Sequence, residues 1–475
     1  MLKYLGQLRK LIPNPLSLFA ILMFVVTTNT IINTEGIYKQ WDMFLRYDQL
    51  GYFGYLPATF VHDKDWEFDF LDDLERDLSS LYVVVDTPDG KTVNKYAAGP
   101  AALLSPFYWV THKITQKQSK FPANGMSQPY KHSVILGCIF YVTLAFFFLR
   151  AVLLRYFPDI TVALTIITLG LGSNLLNFTT ANAMMSHAYS FFLFSLLLWL
   201  VIRWIEDEKK MMLLPIGLTM GMIACTRIPN LMVGLIPLLW GIKNIEDCKA
   251  RIQLLWKQKL WIIGSLFCCV LGFFPQMLYF KSHLGQWFHL TYTNETFWFS
   301  QPLIHRVLFS FRHGWLIYSP LMGLSLVGFF FLKKKVKGST LAILSFFLIN
   351  LYVVSSWWCW WYAGSFGMRA LVESTAILSL PIATAINVLI HKRNTSYIFS
   401  ILFTFLIGLS LLQHHQAFNY IIPYDGMTFK SYKAIFGRVE PVHQRKIDER
   451  DKYMEINHDF FRATTDRKYR WEENK

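Results

Sequence analysis

Leu16-Ser17-Leu18-Phe19-Ala20-Ile21-Leu22-Met23-Phe24-Val25-Val26-Thr27-Thr28-Asn29-Thr30-Ile31-Ile32 contains no charged residue. As a helix rising about 1.5 Å per residue, it is long enough to cross the hydrocarbon core of a bilayer. No small-residue cleavage site follows it, so it reads as a first transmembrane helix rather than a removed leader. Lys3, Arg9 and Lys10 precede it, and the positive-inside rule therefore expects a cytoplasmic N-terminus, with the chain after Asn33 on the far side.

The rest of the chain repeats this pattern. Of 475 residues, 53% are hydrophobic and 16% charged, and phenylalanine alone occurs 41 times. That composition excludes an ordinary water-soluble globule and implies a multi-pass protein of the inner (plasma) membrane, with the lipid bilayer as its solvent. The formal charge of +15 comes from basic residues that border apolar runs, so no nucleic-acid partner is expected. Arg150 and Arg155 follow a span at about 133–149, and Arg203 to Lys210 follow one at about 185–202. Lys243 to Lys259 follow about 228–242, Lys333 to Lys337 follow about 314–332, and His391 to Arg393 follow about 371–390. Every second loop is thus basic and inside, in an all-α bundle of about eleven spans. The fifth and sixth spans are short and meet at Pro229, as two spans or as a broken pair.

Opposite these loops lie a long outer loop at 34–132, a loop at about 281–313, a tryptophan-rich stretch at 356–369 and a basic tail at 413–475. The bundle with its outer loop forms one domain, 1–412, and the tail falls outside on span count although its charge suits the cytoplasm. In the first loop, Tyr82 to Val85, Asp86-Thr87-Pro88-Asp89-Gly90 and Lys91 to Val93 predict a β-hairpin. Ala97 to Val110 is apolar but short, as in a re-entrant or interfacial helix. The six cysteines show no CxxC spacing and predict neither a disulfide framework nor a thiolate metal site.

Candidate chemistry belongs on the outer side. In Asp48-Gln49-Leu50-Gly51-Tyr52-Phe53-Gly54-Tyr55, a helix puts Asp48, Tyr52 and Tyr55 on one face. The carboxylate is either a general base or a water-facing group of an interfacial helix. His62, Asp63, Asp65 and Glu67 either hold a divalent cation or form a hydrated loop. Lys95, before Gly99-Pro100, meets a lipid phosphate or snorkels. The adjacent Arg312 and His313, ahead of Tyr318, suggest an anion site, and outward Arg227, Arg312 and Arg369 each run against the positive-inside rule. Trp357-Trp358-Cys359-Trp360-Trp361 supplies aromatic faces for a sugar ring or part of an aromatic belt. His187, near the outer end of its span, is a ligand or a structural group.

In order along the chain, these motifs resemble those of bacterial GT-C membrane glycosyltransferases. The matching pieces are Asp48-Gln-Leu-Gly-Tyr-Phe-Gly-Tyr-Leu-Pro, Asn94-Lys-Tyr-Ala-Ala-Gly-Pro, Ser186-His-Ala-Tyr, Thr226-Arg-Ile-Pro-Asn, Arg312-His-Gly-Trp-Leu-Ile-Tyr-Ser-Pro and Trp360-Trp-Tyr-Ala-Gly-Ser-Phe-Gly-Met-Arg. The resemblance implies a GT-C-like bundle and transfer of a sugar from a polyprenyl-phosphate carrier on the outer face, with Asp48 as catalytic base. The acceptor is a lipid, a glycan or a protein. Gln49 stands where relatives often carry a second acid or a glycine, so the metal dependence of oligosaccharyltransferase relatives does not carry over. The resemblance fixes no cofactor and leaves a divalent metal open. On this reading Arg227, Arg312 and Arg369 hold phosphate, His313 and Lys95 assist, and Trp360 and Trp361 line the sugar or acceptor site. Tyr52, Tyr55, His187 and Tyr318 complete the binding surface. A flippase for a lipid-linked saccharide would use the same surface without bond breaking, and a polymerase or ligase would take a polyprenyl diphosphate. A transporter should place ionisable groups at mid-span, where this sequence has few.

Overall fold

The computed structural model describes residues 14–35, 45, 47–62, 66, 68, 70, 83–87, 90–292, 295–440, 450 and 454. Its helices run α1 (Pro15–Thr34), α2 (Asp48–Phe60), α3 (Gly99–Thr115), α4 (Gln128–Leu153), α5 (Asp159–Leu171), α6 (Leu175–Thr179), α7 (Ser186–Ile205), α8 (Leu213–Thr226) and α9 (Leu235–Leu239). They continue as α10 (Ile245–Lys257), α11 (Lys259–Leu284), α12 (Ile304–Phe309), α13 (Trp315–Tyr318), α14 (Gly323–Lys335), α15 (Thr340–Ser356), α16 (Ser374–His391), α17 (Arg393–Phe418) and α18 (Phe429–Ile435).

The expected spans overlap helices, though 228–242 is a 3₁₀ turn followed by a short helix and 314–332 is interrupted at Ser319. Among the described residues six helices are long and apolar enough to cross a bilayer: α1, α4, α7, α11, α16 and α17. Shorter apolar helices fill the other positions, and a 3₁₀ turn at Ile228–Gly234, opened by Pro229, separates α8 from α9. Apolar burial divides these helices by position. α7 and α16 are buried almost all round and form the centre, whereas α11 and α17 expose most of their apolar side chains, as a lipid-facing helix does. α8 packs on α11 through small residues, and a Cβ on Gly221 would come 2.0 Å from the Cys269 carbonyl oxygen.

The loops sort to two ends. At one end Arg155 and Arg203 pair with Asp207 at 2.8 and 3.0 Å, and Tyr156 and Trp240 donate to Glu206. These are the basic loops expected inside. At the other end the hairpin forms as expected, with β1 (Val84–Asp86) antiparallel to β2 (Thr92–Asn94) and Gly90 at φ 81 in the turn. It is fastened to the end of α11, because Lys91 Nζ donates to the His283 carbonyl and the Asn94 amide donates to the Tyr279 hydroxyl. The short apolar stretch after it is the 17-residue α3. Trp298 and Trp358 tie the loop after α11 to the tryptophan-rich stretch through backbone bonds to Ser356 and Thr296.

The tail joins this same end. α17 continues past residue 412 to Phe418, and Ile421, Ile422, Met427 and Ile435 bury against Tyr318 and Phe366. Glu35, at the end of α1, accepts from Asn419 Nδ2 at 2.7 Å. Among the described residues, the segments that carry Asp48, Lys95, Arg312, the tryptophans and Arg369 therefore converge on one end of the bundle.

Candidate active site

Asp48 opens α2, and Tyr47 before it has φ 49 and ψ −125, a sharp entry that presents the carboxylate at the helix N-terminus. Its Oδ2 accepts from Arg369 Nη1 at 2.8 Å and its Oδ1 from the Tyr96 hydroxyl at 2.6 Å. Both charged side chains keep an edge open, 26% for Asp48 and 15% for Arg369. Burial raises the Asp48 pKa, but Arg369, the Tyr96 hydrogen bond and Lys95 outweigh it, and the carboxyl titrates below its ordinary value.

Tyr96 is placed by the hairpin. Asn94 Nδ2 donates to the Gly51 carbonyl at 2.8 Å while its Oδ1 accepts from the Tyr96 amide at 2.9 Å. The Tyr96 ring then lies 5.1 Å from that of Tyr52, whose hydroxyl accepts from Ser186 Oγ at 3.2 Å. Tyr55, on the same face of α2, is buried and donates to the Tyr96 carbonyl at 2.7 Å, so it braces the site from below. Lys95 Nζ stands 3.7 Å from Glu295 and 5.3 Å from the Tyr96 ring centre.

A second charge group adjoins this one. Glu373, 1% exposed at the start of α16, receives His187 Nδ1 at 3.0 Å on Oε2, and Arg227 Nη1 lies 3.7 Å from Oε1. His187 is itself buried, so it meets Arg227 rather than solvent. A third group is centred on Asp425 of the tail, which accepts from Arg312 Nε at 2.6 Å and Nη2 at 3.1 Å, lies 3.5 Å from His313 Nε2, and accepts from the Trp361 indole at 3.2 Å. Burial raises the Asp425 pKa, and His313 and Arg312 overcome that and hold it well below the ordinary carboxylate range.

These placements refine what the individual motifs suggest. Asp48, Tyr52, Lys95, Arg227 and Arg369 come together with His187 behind them. Arg312 and His313 are engaged by Asp425, and the Arg312 guanidinium lies 4.2 Å from the Trp361 ring centre. Trp360 and Trp361 are buried, Trp358 donates to Glu295 at 3.0 Å, and Tyr318 sits in the separate apolar cluster with its hydroxyl on the Phe311 carbonyl. His62 stacks on Phe70, while Asp63, Asp65 and Glu67 lie outside the described residues. Among the described residues no three histidine, cysteine or acidic side chains converge as a metal site would require.

Sequence reading passes over Tyr96, Glu295, Glu373 and Asp425. One signal for Glu373 is there in the chain: it is the only acidic residue between Glu295 and Asp425, at the mouth of an apolar span.

The fold is similar to that of solved GT-C membrane glycosyltransferases at low sequence identity. ArnT from Cupriavidus metallidurans, solved bound to undecaprenyl phosphate, superposes with a TM-score of 0.50 at 11% identity over 83% of this chain and 64% of its own. Its apo structure gives the same values. The oligosaccharyltransferase of Archaeoglobus fulgidus has a TM-score of 0.47, with 9% identity over 90% of this chain and 60% of its own. This chain thus spans a little under two thirds of the length of these structures. No protein-family profile and no curated protein sequence matches it.

Proposed function

We propose that this protein is an inverting glycosyltransferase that moves a sugar from a polyprenyl-phosphate carrier to an acceptor on the extracytoplasmic face of the membrane. The observation that carries this reading is the Asp48–Arg369 contact at 2.8 Å, which joins a base to a cation suited to phosphate at one partly open point. The GT-C fold, and undecaprenyl phosphate bound in the ArnT structure, support the choice of donor.

In the proposed reaction Asp48 takes the proton from the acceptor hydroxyl or amine. The acceptor heteroatom bonds to the anomeric carbon from the face opposite the phosphate. The bond from that carbon to the phosphate oxygen breaks, its electron pair leaves with the polyprenyl phosphate, and the anomeric configuration inverts. The phosphodiester, with one negative charge, becomes a monoester approaching two. Arg369 and Arg227 answer that growing charge, and because they are already positioned the site reorganises little.

Charge balance favours a monophosphate over a diphosphate donor. Arg369 faces Asp48, Arg227 faces Glu373, Lys95 faces Glu295, and Arg312 faces Asp425. With each of these cations already opposed by a carboxylate, a singly charged phosphodiester suits the site better than a diphosphate.

The test is transfer by purified protein from a panel of polyprenyl-phosphate sugars, together with identification of the lipid-linked sugar that accumulates when the gene is deleted. Transfer by wild type and its loss in Asp48→Asn are expected. Undiminished transfer by Asp48→Asn would overturn the assignment, and deletion that blocks movement of a lipid-linked saccharide across the membrane would favour a flippase.

A further inference from the structure

His187 Nδ1 lies 3.0 Å from Glu373 Oε2 and also 3.0 Å from Arg227 Nη1, while His187 Nε2 is 3.2 Å from the same Nη1. Nη1 is close to both ring nitrogens at once and so lies over the face of the imidazole, not along the in-plane direction of either nitrogen. Arginine has donors and no acceptor, and an ionised carboxylate has acceptors and no donor. A neutral ring with its hydrogen on Nδ1 donates in-plane to Glu373 and offers its π face to the Arg227 guanidinium. The other tautomer would face a lone pair to the carboxylate, and the doubly protonated ring would set a second positive charge against the guanidinium.

Glu373 is 1% exposed and its Oε1 has no hydrogen-bond partner, only Arg227 Nη1 at 3.7 Å, so the carboxylate is costly to bury and reaches the site through His187 and Arg227. Arg227 differs: 19% of its side chain is open, and its Nε and Nη2 donate to no side chain or carbonyl among the described residues. One end of the guanidinium is pinned and the other is left for a ligand.

We infer that Glu373 is a positioning residue that acts through His187 to aim Arg227 at the phosphate of the lipid carrier. The inference rests on the proposed reading of this cluster as a phosphate site. It is separable from a simple charge effect by sign. Deleting one negative charge beside a bound dianion should tighten phosphate binding, whereas releasing Arg227 from its anchor should weaken it.

The experiment measures binding of polyprenyl phosphate to the full-length protein in detergent, with the thermal midpoint followed in parallel. Glu373→Gln is expected to weaken binding at least about tenfold. His187→Asn, which breaks the relay while keeping the Glu373 charge and serves if Glu373→Gln does not fold, should give a similar loss. In an Arg227→Met background neither change should weaken binding further, since the effect runs through that arginine. Tighter or unchanged binding by Glu373→Gln and His187→Asn, with Arg227→Met impaired, overturns the positioning role alone. Additive losses in the Arg227→Met background overturn it too. Wild-type binding by Arg227→Met instead overturns the underlying phosphate site.

Discussion

Asp48 and Arg369 are separated by 321 positions and meet at 2.8 Å, and the same carboxylate takes a 2.6 Å hydrogen bond from Tyr96. The pair makes two different substitutions informative. Asp48→Asn keeps the shape and removes the base, so sugar transfer should fall by about 10²-fold or more while polyprenyl phosphate still binds. Arg369→Lys keeps a charge but loses the planar fork, so it should impair binding and transfer together. A transfer assay paired with lipid titration separates the two outcomes.

The pH dependence follows from the same contact. The Asp48 pKa is lowered from 3.8, so its proton is lost in the native protein before the ordinary carboxylate value is reached. Asp48 is then a competent base across the neutral range, and an acid limb in kcat caused by it should lie below about pH 4. In stability the sign is that of a depressed acid: its contribution is present above the unfolded value and is lost as pH falls through the native one. A kcat profile in which Asp48 alone governs an acid limb near neutrality would contradict this.

How much of this is legible in the chain depends on the type of signal. Apolar runs and the Lys and Arg that border them expose the spans and the two ends, because the bilayer imposes both on local sequence. The outward Arg227, Arg312 and Arg369 also stand out. What pairs them does not, because their carboxylates Glu373, Asp425 and Asp48 come from distant segments, and even Asp48, which stands out by itself, is not legible as the partner of Arg369. The tryptophans are only partly legible for a related reason. Five aromatic-rich positions suggest a sugar platform, yet the Trp358 and Trp361 indoles donate to Glu295 and Asp425, and those acids are invisible as partners until the loops fold together.

Asp425 gives a prediction for the tail. It joins the segment after α17 to Arg312 and His313, with Arg312 6% exposed and Asp425 12%. Asp425→Ala removes the carboxylate that faces two buried basic side chains and should destabilise the protein by about 3 kcal/mol. Because the native Asp425 pKa is depressed from 3.8, wild type holds this stability above that value and loses it as pH falls. The gap in thermal midpoint between wild type and Asp425→Asn should therefore be full near neutrality and shrink in strong acid. A gap that does not change with pH would mean the carboxylate acts by shape alone.

Gly51 offers a way to disturb the site without altering any charged residue. A Cβ built on it falls 2.0 Å from Tyr96 Cδ2 and 2.8 Å from Cγ, the rigid part of the ring near its attachment. Tyr96 cannot swing clear easily, because it is 5% exposed and its backbone is held by Asn94. Gly51→Ala should thus push the ring outward and break the hydrogen bond to Asp48, and it should also strain the Gly51–Asn94 contact at 2.8 Å. Tyr96→Phe removes only the hydroxyl. If the hydroxyl matters chiefly by tuning Asp48, Tyr96→Phe should lower transfer modestly with little change in stability, whereas Gly51→Ala should lower both, by about 1–3 kcal/mol in stability from overpacking. Equal thermal midpoints for Gly51→Ala and wild type, with transfer unchanged, would show that the hairpin yields and does not fix Tyr96 against the carboxylate.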